Sequence, residues 1–268
     1  MSRNIKTMED FSEYVGLSRP TVSKYFNDPS SVRKSTRDVI EAAILSSGYQ
    51  PNLFAGNFHR RRTHILGVIV SNSNDPFYMA LTRHIQHLAG LSGYMVFVQS
   101  SEGRCELEER ALETFRSMNV AGIVIAPLGR PSQEAKLANA AQTIPLVYVD
   151  SPIDQSSPFV GTDNRQSIRL IVEYLTRSGD APCYFPMPVT NSNAYERSAA
   201  YAETMEGLGL EPRFVPVDDE MTLDHEKFAY DATIRILRSG GSFPTRTVLW
   251  ANDRIAAGVA AAAHQAGL

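Results

Sequence analysis

The chain has 268 residues, 43% hydrophobic and 21% charged, ordinary values for a globular protein and more chain than one small core holds, so two domains are expected. It has no run of about 18 apolar residues to cross a membrane, and its start, MSRNIKTMEDF, lacks the apolar stretch of a secretory signal, so it is expected to stay in the cytosol. The net charge of −3 hides a split: residues 1–64 sum to +4 and the remainder to −7, which suggests that one end alone meets a polyanion.

Thr7-Met8-Glu9-Asp10 opens a first helix, with a hydroxyl to cap free amides and acids at the positive end of the dipole. Met8, Phe11 and Val15 share one face, and Gly16 ends the helix. Ser18 is placed to cap a second helix, with Pro20 in its first turn, where the missing N–H costs little. Val22 and Phe26 turn inward, leaving Arg19, Pro20, Ser23, Lys24 and Asn27 outside. A third helix follows over 36–47, with Ile40, Ala43 and Ile44 inward and Gly48 at its end. Two short helices joined by a glycine turn, the second polar outside, describe a helix-turn-helix. Arg19 and Lys24 can reach guanine edges in a major groove, while Ser18, Thr21, Ser23 and Asn27 suit phosphates. A plain three-helix bundle fits the spacing equally well.

Residues 51–63 begin PNLFAGNFHRRR, with apolar residues at helical spacing but poor helix formers at Gly56 and Asn57, so a helix here needs a packing partner to form. From Ile65 the pattern changes. Strand-like runs over 65–70, 95–99, 122–126 and 146–149 alternate with helical stretches over 77–91, 107–118 and 132–142. A second series places helices near 166–177, 194–207, 225–238 and 254–265, and strands near 182–185, 213–217 and 247–251. This alternation predicts parallel sheets in two lobes with a ligand cleft beyond the strand ends. There is no phosphate loop, nucleophile elbow or HExxH, and Cys105, Cys183 and the six histidines show no metal or disulfide spacing. No enzyme activity, metal or cofactor is therefore expected.

The segment from Thr7 to Asn27, including LSRPTVSKYFN, together with Ser31-Val32, Thr36-Arg37 and Gly48-Tyr49-Gln50-Pro51-Asn52, resembles the DNA-binding motif of the lactose-repressor (LacI/GalR) family. The body is similar to the family's effector domain, itself like periplasmic sugar-binding proteins, through Leu66-Gly67-Val68, Asp75-Pro76-Phe77-Tyr78, Gly122-Ile123-Val124, Pro145-Leu146-Val147, Asp163-Asn164, Arg197 and Asn252-Asp253.

The resemblance implies an α/β architecture of an all-α helix-turn-helix over 1–50, a hinge over 51–63 and a two-lobed periplasmic-binding-protein-like domain over 64–268. It implies a homodimeric transcription regulator, most often a repressor, that binds double-stranded operator DNA and answers to a small-molecule effector, a carbohydrate by family habit. The implied DNA-contacting set is Thr7, Ser18, Arg19, Pro20, Thr21, Ser23, Lys24, Asn27, Thr36, Asn52, Ala55 and Phe58, with Phe58 as an apolar wedge for the minor groove. The implied effector-binding set is Phe77, Tyr78, Asp150, Arg197, Trp250 and Asn252, with Asp253 as a helix cap. Lys24 stands where the family usually has Arg, and Ser178-Gly179-Asp180-Ala181-Pro182 replaces its usual lead into a second-lobe strand. The chain stops at Leu268, several dozen residues short of usual members, so the effector domain is expected to be incomplete. The reading from another class is a cytosolic small-molecule binding protein whose basic N-terminus meets a partner other than DNA.

Overall fold

A computed structural model describes residues 5–50, 63–129, 131–153 and 157–268, with 131–133 described by their backbone alone. The chain divides into two compact units, 1–63 and 64–268. The expected hinge helix, with Asn52, Ala55 and Phe58, lies outside the described residues.

The first unit holds helices α1 (Met8–Val15), α2 (Arg19–Asn27) and α3 (Lys34–Ser47), with a 3-10 turn at Pro29–Ser31. Thr7 and Asp10 form a reciprocal capping box at the start of α1, and Gly16 closes it at φ 70°, a left-handed conformation that a Cβ disfavours. Phe11, Val22, Tyr25, Ile40, Ala43 and Tyr49 make the core. Phe11 stacks on Tyr49 at 4.5 Å between ring centroids. Tyr25 is buried and Phe26 only partly so, because the wider aromatic at 25 reaches Glu41 on α3 with its hydroxyl. Ser18 occupies the cap position of α2, but its hydroxyl meets that of Thr21 at 2.8 Å instead of a free amide.

The second unit is α/β. Its first lobe contains strands β1 (Ile65–Val70), β2 (Met95–Ser100), β3 (Gly122–Ile125), β4 (Leu146–Val149) and β5 (Phe159–Val160), all parallel in the order β2-β1-β3-β4-β5. Helices α4 (Pro76–Leu91), α5 (Cys105–Ser117) and α6 (Pro131–Ala141) connect them. Phe115 of α5 lies so close to β1 that a Cβ on Gly67 would sit 2.4 Å from its ring, which explains glycine inside a central strand.

The chain then crosses into the second lobe: α7 (Asn164–Ser178), β6 (Cys183–Phe185), α8 (Ser192–Gly207), α9 (His225–Arg238), β7 (Val248–Trp250) and α10 (Asp253–Gln265). Its sheet has two strands, β6 and β7, in parallel. The strand expected at 213–217 is reduced to a single bridge between Tyr184 and Phe214. Pro212 and Pro216 flank that bridge and have no N–H to continue a ladder. A second close approach joins α9 to α10: a Cβ on Gly258 would lie 2.1 Å from the Glu226 carbonyl oxygen.

Candidate functional site

Two regions collect polar side chains that the local cores do not use. In the first unit, α2 presents Arg19, Pro20, Lys24 and Asn27 to solvent, with Ser18 exposed at its start. Thr21 and Ser23 are half-buried on the same helix, and Asn27 Nδ2 reaches Ser23 Oγ at 3.5 Å. Arg19 leans toward Glu9 of α1 at 3.7 Å, an exposed pair that a stronger polyanion can displace. Thr7 caps α1 and Thr36 sits half-buried in the first turn of α3, so both mark helix starts, where backbone amides favour phosphate oxygens. This gives a short helix with a cationic, hydrogen-bonding outer face and an apolar inner one.

In the second unit, a cleft of about 230 Å³ lies between the two lobes. The ends of β1 and β4 and the starts of α4, α8, α9 and α10 form its walls. Phe77, Tyr78, Asp150, Arg197 and Asn252 all line it, so five of the six side chains expected from the sequence are brought together. Trp250 is not among the lining residues. It packs against Phe185 and Phe243, with ring centroids at 6.0 and 6.2 Å, because its position in β7 turns it into the second-lobe core. Asp253 lines the cleft but does not cap α10: the Asn252 side-chain oxygen accepts from the Ile255 amide at 2.9 Å.

Asp150 is the centre of the cleft's hydrogen bonding. It sits just past β4 at φ 67°. Its Oδ2 accepts from the Tyr78 hydroxyl at 2.8 Å and from Asn191 Nδ2 at 3.2 Å, and its Oδ1 accepts from Asn193 Nδ2 at 2.9 Å. The first partner belongs to the same lobe and the other two to the opposite lobe, so one carboxylate ties the lobes together. Burial raises its pKa above the usual carboxylate value, while the Tyr78 hydrogen bond, Arg197 and Asn193 pull the other way. Burial and the neighbouring Asp150 charge also push the Tyr78 phenol upward, which keeps it a donor.

Arg197, on α8, donates from Nε to Asn164 Oδ1 at 2.8 Å and from Nη1 to the Ala251 carbonyl at 2.9 Å. A second tie crosses between the lobes: Arg254 Nη1 meets Asp75 Oδ2 at 2.9 Å, with both side chains about 15% exposed. Asp75 also caps α4 through the Phe77 amide.

His225, Arg254, Asp75, Asn191 and Asn193 are cleft residues that the sequence reading did not assign to the site. Asp75 stood in the quoted Asp75-Pro76-Phe77-Tyr78 run, and an Asp directly before a Pro-initiated helix is the capping signal that could have found it. His225 carried no signal, because its partners are far from it in sequence. Burial, then the Arg254 charge, lowers its pKa to about 4, so the imidazole is neutral near pH 7.

This geometry agrees with comparisons to known proteins. Residues 63–268 match the description "Periplasmic binding proteins and sugar binding domain of LacI family", and residues 7–52 match "Bacterial regulatory proteins, lacI family". The chain belongs to the LacI family. Among LacI-family relatives, the ribose operon repressor of Escherichia coli K12 is 28% identical over 267 residues, which is 98% of this chain and 79% of the relative. The regulator PtxS of Pseudomonas putida is 27% identical over 180 residues, covering 66% of this chain and 52% of PtxS. Two solved structures share the fold. The lac repressor dimer bound to operator and the anti-inducer ONPF superposes with a TM-score of 0.81 at 23% identity, covering 98% of this chain and 78% of the other. A LacI-family regulator from Silicibacter pomeroyi gives 0.78 at 23% identity, covering 98% and 79%. No helix among the described residues is long and apolar enough to cross a membrane.

Proposed function

We propose that this LacI-family chain is a sequence-specific DNA-binding repressor that acts as a homodimer in the cytosol and is controlled by a small, sugar-like effector held between its lobes. The observation that carries the proposal is the convergence of Asp150, Arg197, Asn252 and Phe77 on one interlobe cleft, in a chain whose other unit is a family helix-turn-helix. Planar amide, carboxylate and guanidinium groups match the paired hydroxyls of a polyol, and the exposed Phe77 ring suits its apolar face.

Each recognition helix, α2, reads one half of a near-palindrome, with Arg19 and Lys24 on base edges and Ser18, Thr21, Ser23 and Asn27 on phosphates. Phe58 supplies the minor-groove wedge. An exposed apolar face supports the dimer: Met95, Phe97 and Val98 lie on the edge strand β2, with Met79, Leu88 and Leu91 on α4 beside it. The effector acts by binding one lobe arrangement more tightly than the other, which changes operator affinity through linkage. The relatives named above are regulators, and the chain's role as a non-enzyme follows that reading.

The test is an operator search. Selection from random duplex DNA with the full chain should enrich one near-palindromic sequence. Lys24→Ala should then lower discrimination at one base pair of each half-site by about 1–3 kcal/mol. Equal loss on all sequences would make Lys24 a phosphate contact.

A further inference from the structure

At about 230 Å³, the cleft is smaller than the roughly 300–1,000 Å³ usual for a small-molecule site. The space between the lobes does not end there. A second chamber of about 490 Å³ adjoins the cleft and shares Asn72, Leu128, Thr190, Leu223 and Arg254 with it. Its first-lobe side comes from the loops that leave β1, β2 and β3, and its second-lobe side from Thr190, the loop before α9 and Arg254. This is the carboxyl edge of the parallel sheet, where ligands of open α/β folds sit. Leu223 marks the boundary between the chambers. It reaches across the lobes to Gly103, where a Cβ would stand 3.1 Å from its Cδ1, and its carbonyl accepts from Arg254 Nη1 at 3.1 Å.

The outer chamber admits a narrow range of chemistry. No aromatic ring stands among its described walls, so a nucleobase or aryl group finds nothing to stack on. Arg254 is the one cationic residue among those walls, and its guanidinium is already committed. Asp75 meets it at 2.9 Å, Glu226 at 3.5 Å and Asp224 at 4.0 Å. The exposed carboxylates of Glu102 and Asp224 add negative charge at the rim, so a phosphate is repelled. The remaining polar groups are neutral. Asn72 keeps its side-chain oxygen on the Asn74 amide at 2.8 Å, and its Nδ2 meets no described group. The Asn74 side chain and the Thr190 hydroxyl have no described partner either. Thr222 Oγ1 accepts from the Asp224 amide at 3.1 Å, which leaves its proton to donate. Amide and hydroxyl donors, with two carboxylates to accept, match the hydroxyls of an uncharged sugar ring.

Resting on the effector reading above, we infer that the interlobe space takes a neutral disaccharide. One ring lies among Phe77, Asp150 and Asn252, and the second lies in the outer chamber against Asn72, Asn74, Thr190 and Thr222. The glycosidic link passes Leu223 and Arg254. A single ring leaves the outer donors to water and gains nothing from them, and an anomeric phosphate brings its charge toward Glu102 and Asp224.

Calorimetry on the full chain tests this with sets that share a ring: maltose, D-glucose and D-glucose 1-phosphate; lactose, D-galactose and D-galactose 1-phosphate; mannobiose, D-mannose and D-mannose 1-phosphate. Operator binding is checked in parallel. In at least one set the disaccharide should bind about tenfold or more tightly than the single ring and the phosphate. Asn74 is exposed, so Asn74→Trp fills the outer chamber without disturbing a core. It should remove the disaccharide's advantage and leave the affinity for the single ring unchanged. Asn74→Ala, which keeps the space open but removes the hydrogen bonds, should remove part of it. Single rings that bind as tightly as their disaccharides, a phosphate that binds more tightly than its disaccharide, or an advantage that survives Asn74→Trp overturns the two-ring assignment and leaves a sugar effector standing. Silence from every compound with operator binding intact would sink both readings.

Discussion

At the residue scale, His225 links the cleft to stability. Its folded pKa of about 4 lies below the ordinary 6.5, first because it is buried and second because Arg254 is near. The unfolded chain takes up a proton near pH 6.5 and the folded chain resists until about pH 4. Stability from this residue is therefore complete above pH 6.5, falls as the pH drops toward 4 and is gone below it. The difference is worth about 3 kcal/mol at most. Urea unfolding followed by Trp250 fluorescence at pH 7.5 and pH 4.5 reads it directly, because the chain's one Trp reports on the second-lobe core. Wild type should lose more stability over that interval than His225→Gln, and equal losses would contradict the assignment. Asp150, Arg197, Phe77, Tyr78 and Asn252 were legible from family-like positions in the sequence as residues that would meet, and the fold brings them to one cleft. The pairing of His225 with Asn252 was not, because the two stand twenty-seven residues apart and meet only in the fold. Trp250 was misplaced for the same kind of reason: an aromatic at a strand end can face core or cleft, and only the packing with Phe185 and Phe243 decides.

At the element scale, the helices and the central strands followed from hydrophobic period and caps. Their alternation anticipated the five-stranded parallel sheet apart from β5, a two-residue strand too short to show a period. The second-lobe sheet was over-read at 213–217, where an apolar run between two prolines looked like a strand but lacked the donors for one. Close packing of elements yields two tests. Gly258→Ala pushes a methyl against the backbone oxygen of Glu226, which cannot swing aside, and should destabilise the second unit by about 1–3 kcal/mol in the same urea assay. A wild-type midpoint would show that α9 and α10 part easily. Thr7→Ala removes one half of the capping box and should cost the first unit about 1 kcal/mol, read from the loss of helical circular dichroism on heating.

At the scale of the whole molecule, the charge split first seen in the composition corresponds to two units with different work. The basic unit carries capped helices and the polar outer face of α2, charged to meet a polyanion. The acidic unit encloses a cleft and carries an exposed apolar edge. Leu88→Glu on the exposed face of α4 should shift the protein toward monomer in sedimentation velocity and weaken operator binding together. Monomerisation without loss of operator affinity would separate the dimer from DNA recognition. In the proposed function, one chain couples a DNA-reading unit to a ligand cleft. The most direct measurement is fluorescence anisotropy of the full chain on its selected operator, with and without the tightest-binding compound from a calorimetric screen of sugars, at about physiological salt. Coupling predicts a change in operator affinity of about 5–150-fold that disappears in Arg197→Ala, while operator binding without ligand is retained. Tight ligand binding with no change in operator affinity would contradict it.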